Sequence, residues 1–315
     1  MNESYLSDTD ERTMNKNRLI TLCLTAFTLW GCGESPAELP GEADVHDTPL
    51  TIASATLDVG EKAQTRANPT LGVEGNSIGI FCYYPTNGYN SKKFCKYTYK
   101  SASSKWQPAD ASQTVYVGKL ASKVFSVYPW DEGNQNPEVM VLTAHVVAND
   151  AEANASYSVV TKADLAAGAT SVALNHGHRY AKVKIQIQGT SKTASAVVSD
   201  FTLKGIRHKA SHNMLTETFT VIDKATPLHI TKALTLNTSA QLYAIALVPP
   251  AEGEDGNPSY QLTVDGRTLK GTLTKKFTQG TETTLTVTIN AKGAEVETVT
   301  TESWTEENLD LDGNL

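Results

Sequence analysis

The chain is poor in the residues that most often announce chemistry. Its 315 residues include only 4 Cys and 7 His, and aromatics make up 7%. No Gly-x-Ser-x-Gly elbow, HExxH pair or phosphate-binding glycine loop occurs in it. Glycosidases need paired carboxylates, which one sequence does not display, and the chain is read as a non-enzyme without cofactor. Basic charge is also short. There are 27 Lys and Arg against 34 Asp and Glu, a net −7 that disfavours nucleic acid as a partner. No apolar run reaches the length of a membrane-spanning helix. The 12 Pro and 21 Gly are too few for collagen or a low-complexity linker. The 40% of hydrophobic residues exclude a wholly disordered chain.

What charge there is lies unevenly. Residues 1–66 carry 11 acidic and 5 basic residues, net −6, and leave the remainder at net −1. Within this front segment Lys16 and Arg18 precede the twelve-residue apolar run Leu19–Trp30. That length suits the core of a secretory signal peptide. The residues before Met14 are polar and acidic, so translation is expected to start at Met14. The run ends Leu29-Trp30-Gly31-Cys32, which resembles a bacterial lipobox with Cys32 as the lipidated residue, although Trp30 replaces the usual small residue. A polar, Pro-containing tether follows. The alternative is cleavage near Gly31 with Cys32 as a bystander. The expected segments are a signal region over 1–31 and a lipidated leader over 32–66.

Past residue 66 the apolar period is 2. Val183, Ile185 and Ile187 alternate with Lys182, Lys184 and Gln186, and Leu285, Val287 and Ile289 alternate with threonines. Tyr260, Leu262 and Val264 lead into Asp265-Gly266, a tight hairpin signal. Leu242–Val248 is a continuous apolar run stopped by two prolines, as in a buried central strand. Met140, Leu142 and Val146 are expected on one strand face, with Val139, Val141 and His145 on the other. Asp164–Gly168 is the one helix-like stretch. Strand signals recurring every ~8–12 residues argue an all-β chain of two tandem β-sandwiches. The expected domains are 67–172 and 173–315, joined through the small and polar stretch Ala169–His178. Cys82 and Cys95 flank a predicted hairpin, Ile78–Tyr84 with Phe94–Tyr99. In an exported chain they either form a disulfide or stay as two buried thiols.

Three clusters invite functional readings. His176 and His178 share a strand face and could ligate a metal, but no third ligand is visible, and no metal site is assigned. His208 and His212 lie in a polar stretch read as a solvated loop. Glu252, Glu254, Asp255 and Asn257 have the composition of a calcium loop without its spacing, and are read as an exposed turn. Tyr83, Tyr84, Tyr89, Tyr97, Tyr99 and Trp106 either form a sugar-stacking platform or pack as core.

Several segments in order resemble the fimbrillin family of exported Gram-negative lipoproteins, the subunits of type V pili. They are Thr65-Arg66-Ala67 after the polar leader, Gly75–Ile80, Val124–Trp130, His178–Val183, Phe277–Gly280 and Trp304 near the end. Asn76 departs from the acidic residue common in that family. The resemblance implies two transthyretin-like sandwich domains, a cell-surface fimbria reached through an outer-membrane lipoprotein precursor, and cleavage between Arg66 and Ala67 by an arginine-specific protease. It also implies partnership with other pilus subunits by strand exchange, and contact with a host or bacterial surface ligand. Leu50–Val59 has β character and would be the strand that leaves. The donor would be the C-terminal segment with Val296, Val299 and Trp304, whose alternation is imperfect. The competing reading is a monomeric, membrane-anchored glycan-binding or adhesion module.

Overall fold

The computed structural model describes residues 48–58, 70–83, 93–251, 255–292 and 294–304, with backbone alone at 160–162, 294–299 and 301–303. The first strands are β1 (Thr48–Pro49), β2 (Thr51–Leu57), β3 (Ser77–Tyr83), β4 (Cys95–Lys100), β5 (Lys105–Pro108), β6 (Tyr116–Val117) and β7 (Ser122–Tyr128). Next come β8 (Met140–Thr143), β9 (His145–Val147), the one-turn helix α1 (Asp150–Asn154), β10 (Ser158–Leu165) and β11 (Ser171–His178). The chain continues with β12 (Ala181–Gly189), β13 (Val197–Lys204), β14 (Lys209–Asn213), β15 (Thr218–Asp223) and β16 (Leu228–Thr235). It ends with β17 (Gln241–Val248), β18 (Ser259–Val264), β19 (Arg267–Thr272), β20 (Thr281–Ile289) and β21 (Ala294–Ser303). The fold is all-β, as the period-2 pattern implies.

A seven-stranded sheet in the order β2-β11-β10-β7-β3-β4-β5 holds most of the first half. Its two outermost strands, β2 and β5, come into contact, so the sheet rolls around a core. Ile52, Ile78, Ile80, Tyr97, Trp106, Val124 and Leu174 fill that core. The central strands β3 and β7 are buried on both faces. Phe81, Phe125 and Val127 point the other way, onto Met140 and Met214. Double burial is why Val124–Tyr128 reads as a nearly unbroken apolar run. In the second half a five-stranded sheet, β21-β20-β12-β17-β9, faces a four-stranded one, β16-β13-β18-β19. Val183, Ile185 and Ile187 of β12 meet Phe201, Leu203 and Leu262 between them. A three-stranded sheet, β15-β14-β8, covers the outer face of the seven-stranded one through Met140. β8 and β9 therefore belong to the first half by sequence and to the later sheets by pairing. The described residues form one compact unit.

The Asp265-Gly266 hairpin is present, with both residues at positive φ, as a two-residue turn of this type requires. Gly271 pairs with Tyr260 across it, and a Cβ there would lie 2.3 Å from the tyrosine oxygen. Gly271→Val is thus expected to destabilise the protein by about 1–3 kcal/mol through overpacking, read as a lower urea midpoint.

Four expectations change. Ala169–His178 is not a linker, because Ser171–His178 is β11 with Val172, Leu174, His176 and His178 buried in alternation. The 172/173 boundary thus falls inside a strand. Asp164 and Leu165 end β10 rather than starting a helix. The helix present is α1, begun by the Asn149 side chain, which accepts from Glu152 N at 2.9 Å. The alternation of β8 runs on through Ala144 and breaks at His145 and Val146, so Val146 is exposed and Val147 buried.

Candidate functional site

β2 is an edge strand that lies within residues 32–66, the expected leader. It runs parallel to β11, with Ile52 opposite Val172, Ala55 opposite Leu174 and Leu57 opposite His176. Thr51 N donates to Thr170 O at 2.8 Å, and Asp58 N to His176 O at 2.7 Å. The register shifts once, between Ile52 and Ser54, so Ala53 is an extra residue. Burial consequently falls on Leu50, Ile52, Ala55 and Leu57. The two leucines and the isoleucine alone are worth roughly 5–9 kcal/mol of gross burial, an upper estimate.

Edge strands usually discourage pairing with charges or proline. The sequence TIASATL has neither. Its protection is cover instead. Leu71 N donates to Ala55 O at 2.8 Å, Thr70 bridges Thr56, and Leu50 N donates to Val115 O at 2.8 Å. The segment that follows the leader in sequence thus lies against the leader's outer side. Leu71, Val115, Val117, Val172 and Leu174 share the core with β2 and would line the groove it occupies.

The C-terminal strand β21 is also an edge strand, antiparallel to β20. Its register shifts between Val296 and Thr298, making Glu297 the extra residue. Trp304 closes it and is 2% exposed. The indole Nε1 donates to Asn154 Oδ1 at 3.0 Å, and the ring stacks on His178 with centroids 3.9 Å apart. Lys182 Nζ lies 5.4 Å from the same ring. Lys182, itself 1% exposed, pairs with Asp150 and with Glu282 at 2.8 Å, and Lys184 completes the cluster at 2.9 Å from Glu282. Those two lysines hold the Asp150 carboxyl below the usual carboxylate range against the opposing effect of burial. Lys182, placed on the polar side of its strand by the alternation, is thus a buried ion-pair centre. Only the tryptophan was legible from sequence, since Asn154 lies 150 positions away.

The histidines are structural neighbours of this system. His176 Nδ1 donates to Thr56 O of the leader at 3.3 Å, and Ser126 Oγ donates to His176 Nε2 at 2.9 Å. His212 is buried in β14, contrary to the solvated-loop reading, with Nδ1 3.1 Å from the Tyr157 hydroxyl. Burial, reinforced by nearby cations, pushes His176, His178 and His212 down to about 3. His176 and His178 do share a face. Among the described residues no group of three His, Cys, Asp or Glu could hold a metal.

Tyr97 and Trp106 belong to the core rather than to a stacking platform, and Tyr99 packs edge-on against Trp106 at 5.4 Å. Tyr84 and Tyr89 lie outside the described residues. Asp255 is not a free turn carboxylate, since its Oδ2 accepts from Arg207 Nε at 2.6 Å. Cys82 is buried and Cys95 half-buried. Cys95 pairs with Ile80, which places Cys82 two residues further along, a diagonal of about 7–8 Å that is too long for a disulfide without backbone movement. Burial raises the Cys95 thiol. Cys32, Arg66 and Ala67 lie outside the described residues, Arg66 in the stretch between Asp58 and Thr70. Among the described residues no helix is long and apolar enough to cross a membrane.

A family profile described as fimbrillin-like matches residues 65–304. A search of curated protein sequences finds no match. Among solved structures, one from Bacteroides ovatus assigned to cell adhesion aligns at TM-score 0.60 and 14% identity, covering 83% of this chain and 99% of the other. One from Bacteroides uniformis, with the same assignment, aligns at 0.56 and 23% identity over 82% and 100% of the two chains. A third, from Parabacteroides distasonis, aligns at 0.51 and 8% identity over 82% and 98%. At these identities the likeness concerns the fold.

Proposed function

The chain belongs to the fimbrillin-like family and is thus a fimbrial or cell-adhesion subunit, and from that premise we propose that it is a structural pilus subunit assembled by strand exchange. It is exported as a lipoprotein anchored at Cys32 in the outer membrane and then carried to the cell-surface fimbrium. An arginine-specific protease cuts between Arg66 and Ala67. The leader leaves with β2, and the exposed groove along β11 accepts an extended strand from the next subunit by main-chain bonds and alternate side-chain pockets. The protein acts through this groove as a scaffold and carries out no reaction.

The observation that carries this reading is the leader strand itself. It is an uncharged edge strand that buries Ile52, Ala55 and Leu57, with Leu50 buried just before it, in the segment that precedes Arg66. The family match begins at residue 65, so it omits that segment.

The spacing of the C-terminal strand supports it as the donor. The leader buries positions i, i+2, i+5 and i+7, with the extra residue at i+3. Counted from Ala294, the same positions of β21 are Ala294, Val296, Val299 and Thr301, and its extra residue, Glu297, is again i+3. The imperfect alternation of Val296 and Val299 is thus the spacing the groove accepts. Trp304 lies beyond the match.

Digestion of the leader-bearing protein with an arginine-specific protease tests the reading. One cut after Arg66, followed by growth of SDS-resistant oligomers on size-exclusion chromatography, is the expected result. Clean cutting with a monomer throughout would favour a monomeric adhesion module.

A further inference from the structure

The leader and the C-terminal clamp meet on one strand. β11 is divided between two partners. Ser171–His176 pair with β2, whereas Gly177 and His178 pair with Val159 and Ser158 of β10. Without β2, the first six residues of β11 keep no register partner among the described residues. The strand would then be laddered only at its last two.

Those last residues hold Trp304. The indole stacks on the His178 ring at 3.9 Å, 9° from parallel. Two residues on, Tyr180 O accepts from Gly280 N at 2.9 Å, and Gly280 O accepts from Trp304 N at 2.9 Å. The ring and the backbone of Trp304 are thus both referred to residues 178–180. The leader grips the same strand two positions earlier, through Thr56 O on the His176 ring and Asp58 N on the His176 carbonyl. A strand that loses its ladder opens locally far more often than one paired on both sides.

We propose that β11 is a relay between the two ends of the chain, so that withdrawal of the leader strand loosens Trp304 and frees β21 for donation. The proposal rests on the strand-exchange reading and adds its order of events. A subunit whose groove is still filled keeps its own C-terminal strand docked. Acceptance and donation then become available in the same step, which keeps uncut subunits from donating strands prematurely. Asn154 and Lys182 also hold the tryptophan, and neither touches the leader. The relay therefore changes the opening equilibrium of β21 without abolishing docking, and an effect of about 10-fold lies within the usual range of coupling between sites.

Amide hydrogen exchange on the uncut full-length chain tests this without any cleavage. Thr56→Pro in β2 removes an amide on the side that faces β11, the side Asp58 N shares two residues on, and is expected to accelerate exchange in 294–304 by about 10-fold, with Ser259–Thr272 of β18 and β19 unchanged. Coupling is reciprocal. Trp304→Leu is accordingly expected to accelerate exchange in Thr51–Leu57. His178→Leu removes the stack and leaves Asn154 in place, and in that background Thr56→Pro should no longer affect β21. Exchange in 294–304 that stays at the wild-type rate while 51–57 opens would overturn the relay. Uniform acceleration that includes β18 and β19 would overturn it too, because the relay predicts a difference between those regions. Digestion at Arg66 plays no part, so either idea can fail while the other stands.

Discussion

Trp304→Ala is expected to lower the stability of the uncut protein by about 3–5 kcal/mol, the range for deleting a fully buried aromatic side chain. The ring shares a buried cluster with Leu142, Val147, Ala153, Tyr180, Ile245 and Leu247, which come from β8, β9, α1, the residue before β12, and β17. Such a site collapses poorly, so the cavity term should persist. Deletion also strips the Asn154 carboxamide of its indole donor in a buried position. It removes the face against which His178 is stacked, although neither nitrogen of that ring has a hydrogen-bond partner among the described residues. Trp304→Phe keeps most of the volume and loses the hydrogen bond, so a cost of about 1–2 kcal/mol is expected. Urea unfolding with an unchanged slope measures both. An alanine variant within 1 kcal/mol of wild type would mean that the C-terminal strand is not clamped.

The second large effect is on acid stability. His176, His178 and His212 are buried and held at about 3, desolvation being the leading cause for each. In the unfolded chain they titrate near 6.5. Between these values the unfolded state binds more protons than the folded one, so folding weakens as pH falls and this contribution is fully present only above about 6.5. The loss is about 1.4 kcal/mol per histidine per pH unit, or about 2 kcal/mol each at pH 5. Added together, three such groups consume a large share of the usual 5–15 kcal/mol of a folded domain. Urea midpoints should thus fall steeply from pH 7 to pH 5 and stay flat from pH 7 to pH 8. His212→Phe removes one of the three and should make the slope shallower. A stability that does not change between pH 7 and pH 5 would show that these rings are already solvated.

The strands that the sequence announces are those with one apolar and one polar face. β12, β18 and β20 obey the period of two, and Asp265-Gly266 marks its hairpin directly. β11 escaped because two of its four buried positions are histidines, and a polar residue at an inward position imitates a linker. α1 escaped because a single turn has no period to detect. The apolar side of β2 was visible, yet its parallel partner lies about 120 positions later, and nothing local encodes that pairing. The clamp is the extreme case. Trp304 and His178 stand out in the sequence for other reasons, Asn154 does not, and only the long-range packing of the sheets makes them and Lys182 a unit. The bulge has a sequence signal, a break in alternation. A β-bulge shifts alternation by one residue, so Leu50, Ile52, Ala55 and Leu57 break the period at the point where β21 breaks it too.

The central claim is that the groove along β11 passes from the leader to the C-terminal strand of another subunit, and a pair of engineered cysteines tests it most directly. In β2, Ile52 lies opposite Val172. A donor in the proposed register puts Val296 at that place. Val172→Cys and Val296→Cys, combined in a chain with Cys82→Ser and Cys95→Ser, should give a ladder of disulfide-linked oligomers on non-reducing gels after cleavage at Arg66, and only monomer before it. Complete cleavage without a ladder, or an equal ladder in the uncut protein, would contradict the account.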